Sequence, residues 1–159
     1  MSTQGNKLVI FCLGEDHFAA DVHVVERVLR YASPTPVPDT PAYIEGVLDY
    51  LGRVVPIVNL RRRLELEPRE VRPETRTVVL NVSGEWIGLV VDSVTEVAPF
   101  EQASLSAPPK MFRGLTRDYV KGIVRLNGRL VIYLDVEHLL SSTERIALQS
   151  SGAEALAGE

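Results

Sequence analysis

Short apolar segments alternate along this chain with clusters of glycine, proline, asparagine and aspartate. Such segments, when rich in β-branched residues, predict β-strands joined by tight turns. Residues 46–64 show the pattern most fully, because apolar runs flank Gly52 and leucines at helical spacing, Leu60 and Leu64, follow them. This stretch predicts a strand, a glycine turn, a second strand and a short helical exit.

The hairpin pattern occurs again further along the chain. Shifted by 76 positions, residues 46–64 lie over 122–140, and several of the matched residues are identical: Gly46 and Gly122, Gly52 and Gly128, Arg53 and Arg129, Val55 and Val131, Leu64 and Leu140. An earlier hairpin, formed by 8–13 and 18–25, is matched at an offset of 70 by 78–82 and 86–91. The chain is therefore a duplicated unit, and a hairpin cannot bury both of its faces alone. We expect one mainly β domain over 1–159, with subdomains at about 8–66 and 76–140 that are free to exchange strands.

Proline-containing segments connect the two hairpins of each copy. Residues 33–41 contain four prolines, which exclude a central strand or a helix interior. We expect an extended surface crossing there, followed by one helical turn over 42–45, and a matching crossing that begins at 106–110. The charged segment 67–74 is predicted to be an exposed link between the copies. A short C-terminal helix and a flexible tail, 150–159, are expected to end the chain.

Composition narrows the class of protein. The chain has 159 residues, of which 45% are hydrophobic and 24% charged, and this balance is typical of a soluble globular protein. Its apolar runs are too short to cross a bilayer and its first residues lack an export signal, so we expect a cytoplasmic protein without membrane insertion. The net charge of −4 argues against a nucleic-acid partner. The single cysteine, Cys12, leaves no disulfide framework.

One basic cluster, Arg61, Arg62 and Arg63, follows the second strand of the first repeated hairpin. Leu60 and Leu64 lie four residues apart and would turn the arginines outward, so we interpret them as the solvated face of the helical exit. The alternative is that one arginine takes part in a partner interface.

Candidate catalytic groups are few. His17, His23 and His138 have no nearby cysteine or dense carboxylate cluster, so surface roles are favoured over a metal site. Asp92 ends an apolar strand, where capping of the next residues is the simplest role. We therefore expect neither cofactor nor metal and no enzymatic activity. A small β-barrel enzyme or ligand-binding domain that uses Asp92 with a histidine remains a distant alternative.

Several motifs, taken together and in order, resemble those of the CheW chemotaxis coupling proteins. The motifs are residues 40–47 (TPAYIEGV), 52–61 (GRVVPIVNLR), 88–94 (GLVVDSV) and 134–137 (LDVE). The resemblance covers about 8–140. It implies two SH3-like five-stranded β-barrel subdomains and a non-enzymatic adaptor that couples the cytoplasmic tip of a chemoreceptor to the regulatory domain of a CheA-type histidine kinase. It also implies recruitment from the cytoplasm to membrane-associated receptor arrays.

The resemblance also suggests interface residues. The receptor-binding candidates are Val25, Arg27, Val28, Leu51, Gly52 and Arg53. The kinase-binding candidates are Pro38, Tyr43, Ile44 and Gly46, with the proline crossing. Ile44 and Val28 have core positions as their alternative, because apolar residues beside turns are usually buried.

The chain differs from the family pattern at two of these positions. Leu51 stands where the family usually has arginine, and Arg27 stands where it usually has glutamate. Loss of both charges is expected if the two normally pair, since a single charge left on a partly buried face is costly. A second hypothesis follows: the protein binds the kinase, in a pathway other than flagellar motility, without engaging receptors in the usual way.

Overall fold

The structure, a computed structural model, describes residues 7–107 and 119–139, and these residues form mainly β-strands. The first copy contributes β1 (Lys7–Leu13), β2 (Asp16–Asp21), β3 (Val25–Arg30), β4 (Ile44–Tyr50) and β5 (Arg53–Asn59), then a one-turn helix, α1 (Leu60–Arg63). The second copy contributes β6 (Arg76–Val82), β7 (Glu85–Val91), β8 (Ser93–Pro99), β9 (Leu105–Ser106), β10 (Val120–Leu126) and β11 (Arg129–Leu134). The predicted mainly β fold is confirmed.

The strands form two sheets that draw on both copies. The six-stranded sheet has the order β8-β1-β2-β11-β10-β9, and the five-stranded sheet has the order β3-β6-β7-β5-β4. The exchange is reciprocal: β8 pairs with β1 and β3 pairs with β6, while β2 runs parallel to β11 and β7 runs parallel to β5. Each sheet therefore combines strands from 8–66 with strands from 76–140, and neither copy completes a sheet alone.

Three hairpin turns have a left-handed backbone at both central positions. The pairs are Leu51 (φ 52°) and Gly52 (78°), Ser83 (54°) and Gly84 (86°), and Asn127 (52°) and Gly128 (75°). Two successive positive φ values are the signature of type I′ turns, whose twist matches that of the flanking strands. The glycines at the second position of each pair therefore allowed these turns to be predicted from the sequence.

The first proline crossing and Ser106, where the second was predicted to begin, each pass closely over a glycine. The rest of the predicted second crossing, from residue 108, lies outside the described residues. Thr35 forms an isolated bridge to β4, and Ser106 pairs with β10 at the matching position. A Cβ added at Gly46 would lie 2.1 Å from the carbonyl oxygen of Thr35, and one at Gly122 would lie 2.5 Å from that of Ser106. Only glycine lets Thr35 and Ser106 approach this closely, so the repeated glycine pair fixes where these two residues lie.

Alternate residues of the strands build three buried clusters. The largest joins the two sheets and includes Phe11, Phe18, Val58, Leu80, Leu89 and Leu134. A second, confined to the six-stranded sheet, includes Leu8, Ile10, Val124 and Tyr133. A third, confined to the five-stranded sheet, consists of Val55, Ile57 and Val90, with Trp86 packed against it. Successive side chains point to opposite faces of a strand, so each sheet has one face in the shared cluster and one in its own.

Two predictions of secondary structure are wrong. The strand expected to reach Val25 ends at Asp21, whose carboxylate accepts the backbone N–H of His23 at 2.8 Å and caps a 3₁₀ helix that leads to the other sheet. Residues 42–45 form no helix, because the chain makes a tight turn and has entered β4 by Ile44. The predicted C-terminal helix and tail lie outside the described residues. No helix in 7–107 or 119–139 is long and apolar enough to span a membrane.

Candidate interaction surfaces

The edge strand β3 carries three of the receptor-binding candidates. Within the described residues β3 pairs only with β6, so its outer edge is open. Arg27 is exposed and Val28 is 37% exposed, whereas Val25 is half-buried against the cluster that joins the sheets. Val28 is thus a surface residue and not a core residue, and β3 presents a mixed apolar and basic edge to solvent.

The turn between β4 and β5 carries the other three receptor-binding candidates. Leu51 is 74% exposed although it is a large apolar residue, and Gly52 and Arg53 are also exposed. The guanidinium of Arg53 lies 4.0 Å from the ring centre of Trp86, and the rings of Trp86 and Tyr50 are 5.7 Å apart. The turn therefore presents an exposed leucine, and the residues that flank the turn in sequence, Tyr50 and Arg53, both contact Trp86.

The kinase-binding candidates differ in their accessibility. Pro38 is exposed in the crossing and Tyr43 is half-buried at its end. Ile44 is only 7% exposed and belongs to the cluster that joins the sheets, and Gly46 is buried beneath Thr35. Pro38 and Tyr43 are accessible to a partner, while Ile44 and Gly46 act on this surface only by shaping it.

A hydrogen-bond network ties the two edges of the five-stranded sheet. Tyr31, which follows β3, donates its hydroxyl to Glu45 Oε1 at 2.6 Å, and Asn59 Nδ2 donates to Glu45 Oε2 at 2.7 Å. The pKa of Tyr31 is raised to about 12, chiefly by burial of the phenol and further by the hydrogen bond to Glu45 and the negative charge of Glu45. The phenol therefore remains a donor at neutral pH, and it links the strand of Arg27 to the strand that leads to Leu51.

The carboxylate of Asp92 is the centre of an ion-pair cluster that sequence analysis missed. Its Oδ1 accepts from Arg61 Nε at 3.0 Å, and its Oδ2 accepts from Arg61 Nη2 at 2.6 Å, Arg69 Nη1 at 3.0 Å and the backbone N–H of Gly14 at 2.7 Å. Burial alone would raise the pKa of Asp92, but the hydrogen bonds from Arg61 and Gly14 and the nearby arginine charges together lower it. Asp92 thus joins the first hairpin, α1 and the link between the copies, and the expected cap of the following residues is wrong.

Strand pairing explains why Arg61 meets Asp92. Strands β5 and β7 are parallel, with Asn59 opposite Val90, so Arg61 and Asp92, each two positions beyond this pair, lie side by side. The sequence did contain a feature that could have predicted this ion pair: a carboxylate follows one apolar strand, and an arginine follows the strand that lies parallel to it. The sequence did not reveal that the two strands pair, because they come from different copies.

The three arginines of α1 have different environments, so the interpretation of all three as a solvated face is wrong. Arg62 is exposed, Arg61 is half-buried with Asp92, and Arg63 is only 9% exposed. The Arg63 guanidinium lies 4.6 Å from the ring centre of Tyr43 and 4.7 Å from that of Tyr119, and its Nε donates to the Leu139 carbonyl at 2.7 Å. Tyr43 matches Tyr119 at the repeat offset, so Arg63 joins equivalent positions of the two copies.

The histidines do not assemble with Asp92. His17 Nε2 lies 3.1 Å from Arg129 Nη1, while His23 and His138 each contact an aspartate within three residues of the same segment. In the part of the chain that the structure describes, no group of three or more histidine, cysteine or carboxylate side chains could hold a metal ion. The accessible features described above are surfaces suited to protein partners.

Comparison with known proteins gives a consistent result. The sequence matches the model of the family described as CheW-like domain over residues 7–144. It is 32% identical to the chemotaxis protein CheW of Treponema pallidum over 144 residues, which cover 87% of this chain and 84% of that protein. It is also 32% identical to the CheW of Klebsiella aerogenes over 142 residues, covering 89% of this chain and 86% of the relative.

A solved structure shares the fold. The scaffolding protein TtCheW from Thermoanaerobacter tengcongensis superimposes with a TM-score of 0.80 at 28% identity, covering 88% of this chain and 90% of the other. The expected pair of SH3-like units is confirmed, with a sixth strand in one sheet contributed by the two-residue β9. The family model spans most of the sequence and the fold agrees over the same region, so this chain belongs to the CheW-like domain family.

Proposed function

We propose that this protein is a non-enzymatic scaffold that couples chemoreceptors to a CheA-type histidine kinase in a chemosensory array. The observation that carries the proposal is the match over nearly the whole chain, in sequence and in fold, to CheW proteins and to a protein described as a scaffold. The accessible surfaces support it, because they offer apolar, aromatic and arginine side chains of the kinds that dominate protein interfaces. The site of action is the cytoplasmic face of the receptor array.

The regulatory domain of the kinase binds across the first proline crossing in this proposal. Pro38 and Tyr43 are the accessible contacts, and two backbone hydrogen bonds of 2.9 Å between Thr35 and Val47 tie the crossing to β4. A preformed surface of this kind binds with a small loss of conformational freedom. The rigid crossing therefore favours a specific contact over a loose one.

Titration of the kinase regulatory domain against the protein tests this contact. Wild type is expected to bind, and Pro38→Glu is expected to weaken binding by about tenfold because it places a charge in the interface. Pro68→Glu provides the matched control, since Pro68 is an exposed proline in the link between the copies. Absence of a complex between wild type and the kinase domain at high micromolar concentrations would refute the proposed function.

A second candidate function is favoured by Arg27 and Leu51. Both side chains are exposed, and no described hydrogen bond or ion pair joins them, so the charge pair inferred for the family is missing. An adaptor that binds the kinase but not receptors would fit this loss. In that case the double variant Leu51→Arg with Arg27→Glu gains recruitment to receptor arrays, whereas wild type that already co-localises with receptors excludes this candidate.

A further inference from the structure

A cavity of about 380 Å³ lies where the first proline crossing, the end of β5 and the link between the copies come together. Its volume is within the roughly 300–1,000 Å³ of small-molecule sites, which combine apolar walls with a few polar groups. The apolar part of the lining includes Pro34 and Pro36 in the crossing, Val71 in the link and Val90 in β7. The cavity therefore has the size and the walls of a ligand site.

Arginine side chains make up the basic part of the lining: Arg61, Arg62 and Arg69. A guanidinium has five N–H donors and accepts no hydrogen bond. The described side-chain hydrogen bonds use three donors of Arg61 but only one of Arg62 and one of Arg69. Within the described part of the chain, Arg62 and Arg69 therefore keep most of their donors for solvent or a ligand.

Three of the described carboxylates also line the cavity, and two of them are already engaged. Asp92 accepts four hydrogen bonds, which fill both of its oxygens, and its single charge is shared by Arg61 and Arg69. Each oxygen of Glu45 accepts a hydrogen bond from a neutral side chain. Glu70 is exposed and makes no hydrogen bond that the structure describes, so it is the carboxylate that would oppose a bound anion. The engaged carboxylates leave most of the Arg69 donors unmatched.

We propose that this cavity binds a small molecule with a carboxylate or phosphate group, which Arg62 and Arg69 hold by charge-assisted hydrogen bonds. Planar guanidinium groups match the oxygens of both kinds of anion in paired N–H···O contacts. The prolines and valines of the lining cover the rest of the ligand. Because the bound molecule contacts both the crossing and the link, it holds these two segments together. This binding is separate from the coupling function proposed above and does not depend on it.

Titration of the full-length protein with inorganic phosphate, and separately with succinate, tests the site. Binding is followed by chemical-shift changes of the backbone amide signals, at an ionic strength held constant with sodium chloride so that general screening does not change. Wild type is expected to bind at least one probe saturably below about 10 mM, and the tighter probe identifies the preferred anionic group. Arg62→Gln and Arg69→Gln are each expected to weaken binding by about fivefold or more, because each removes charge-assisted hydrogen bonds.

Arg72→Gln is the matched control, since Arg72 is an exposed arginine of the same link and is not among the described lining residues. It should leave the affinity for both probes unchanged. Glu70→Gln removes the opposing charge and should raise the affinity by about twofold. Absence of saturable binding of both probes at about 10 mM would overturn the inference. Equal weakening by Arg72→Gln, or an affinity that falls in Glu70→Gln, would also overturn it.

Discussion

At the scale of single residues, two of the described ion pairs, those of Arg61 and Arg69, meet at Asp92. Its two oxygens accept four hydrogen bonds from Arg61, Arg69 and the backbone of Gly14, and only 17% of the side chain is exposed. Asp92→Asn keeps the shape but removes the charge, which leaves the half-buried Arg61 without its counter-ion. We expect a decrease of about 2 kcal/mol in the free energy of unfolding, measured in urea at neutral pH.

The decrease in stability should depend on pH with a defined sign. The pKa of Asp92 in the folded protein is lower than the ordinary 3.8, so its charge contributes fully above that value and the contribution is lost as pH falls through the folded-state pKa. The difference between wild type and Asp92→Asn should therefore be constant near neutrality and shrink in acid. Arg69→Ala removes the more exposed partner and should cost less than about 1 kcal/mol. Equal stability of wild type and Asp92→Asn at neutral pH would contradict this account.

At the scale of elements, the proline crossing depends on the absence of a side chain at Gly46. Its φ is 146° and the Thr35 carbonyl oxygen lies where a Cβ would be, so Gly46→Ala forces the crossing away from β4. We expect a loss of about 2–3 kcal/mol in the free energy of unfolding, measured by denaturant titration. Because the crossing carries Pro38, kinase affinity should fall as well.

Gly84→Ala separates this steric effect from the effect of backbone strain. Gly84 has a φ of 86° but no atom near its would-be Cβ, so the substitution should cost only about 1 kcal/mol and leave kinase affinity unchanged. Equal losses of stability in the two variants would show that the close approach to Thr35 has no energetic importance.

The strands and turns could be predicted from sequence because their signals are local. Alternating apolar residues and the glycines at the three type I′ turns mark each hairpin wherever its partners lie. Exchange of strands between the copies was expected as a possibility, but which strands exchange could not be predicted, because two nearly equivalent hairpins offer the same pattern to either partner. The environments of Arg61, Arg63 and Asp92 depend on that exchange, which is why their contacts were missed.

At the scale of the whole molecule, duplication and exchange produce a body that neither copy forms alone. The largest buried cluster takes residues from both sheets, and Arg63 bridges equivalent tyrosines of the two copies. The candidate surfaces on β3, on the β4–β5 turn and on the first crossing therefore share one framework. A body with separate surfaces on one framework is suited to hold two partners at once.

Family membership could be inferred from the order of the motifs, while the state of the interface residues required the structure. The sequence indicated that Leu51 and Arg27 differ from the usual pattern, but exposure was needed to show that Val28 is a surface residue and not a core residue. Burial likewise separated Ile44 and Gly46 from the accessible Pro38 and Tyr43. These distinctions arise from contacts between distant segments, which local patterns do not encode.

The most direct test of the coupling function is co-sedimentation of the kinase with membranes that contain the host's own chemoreceptor, with and without this protein. The account predicts that the kinase sediments with receptor-containing membranes only when this protein is present, and that Pro38→Glu reduces the sedimented kinase. Kinase that sediments equally well without this protein, or that fails to sediment in its presence, would contradict the account.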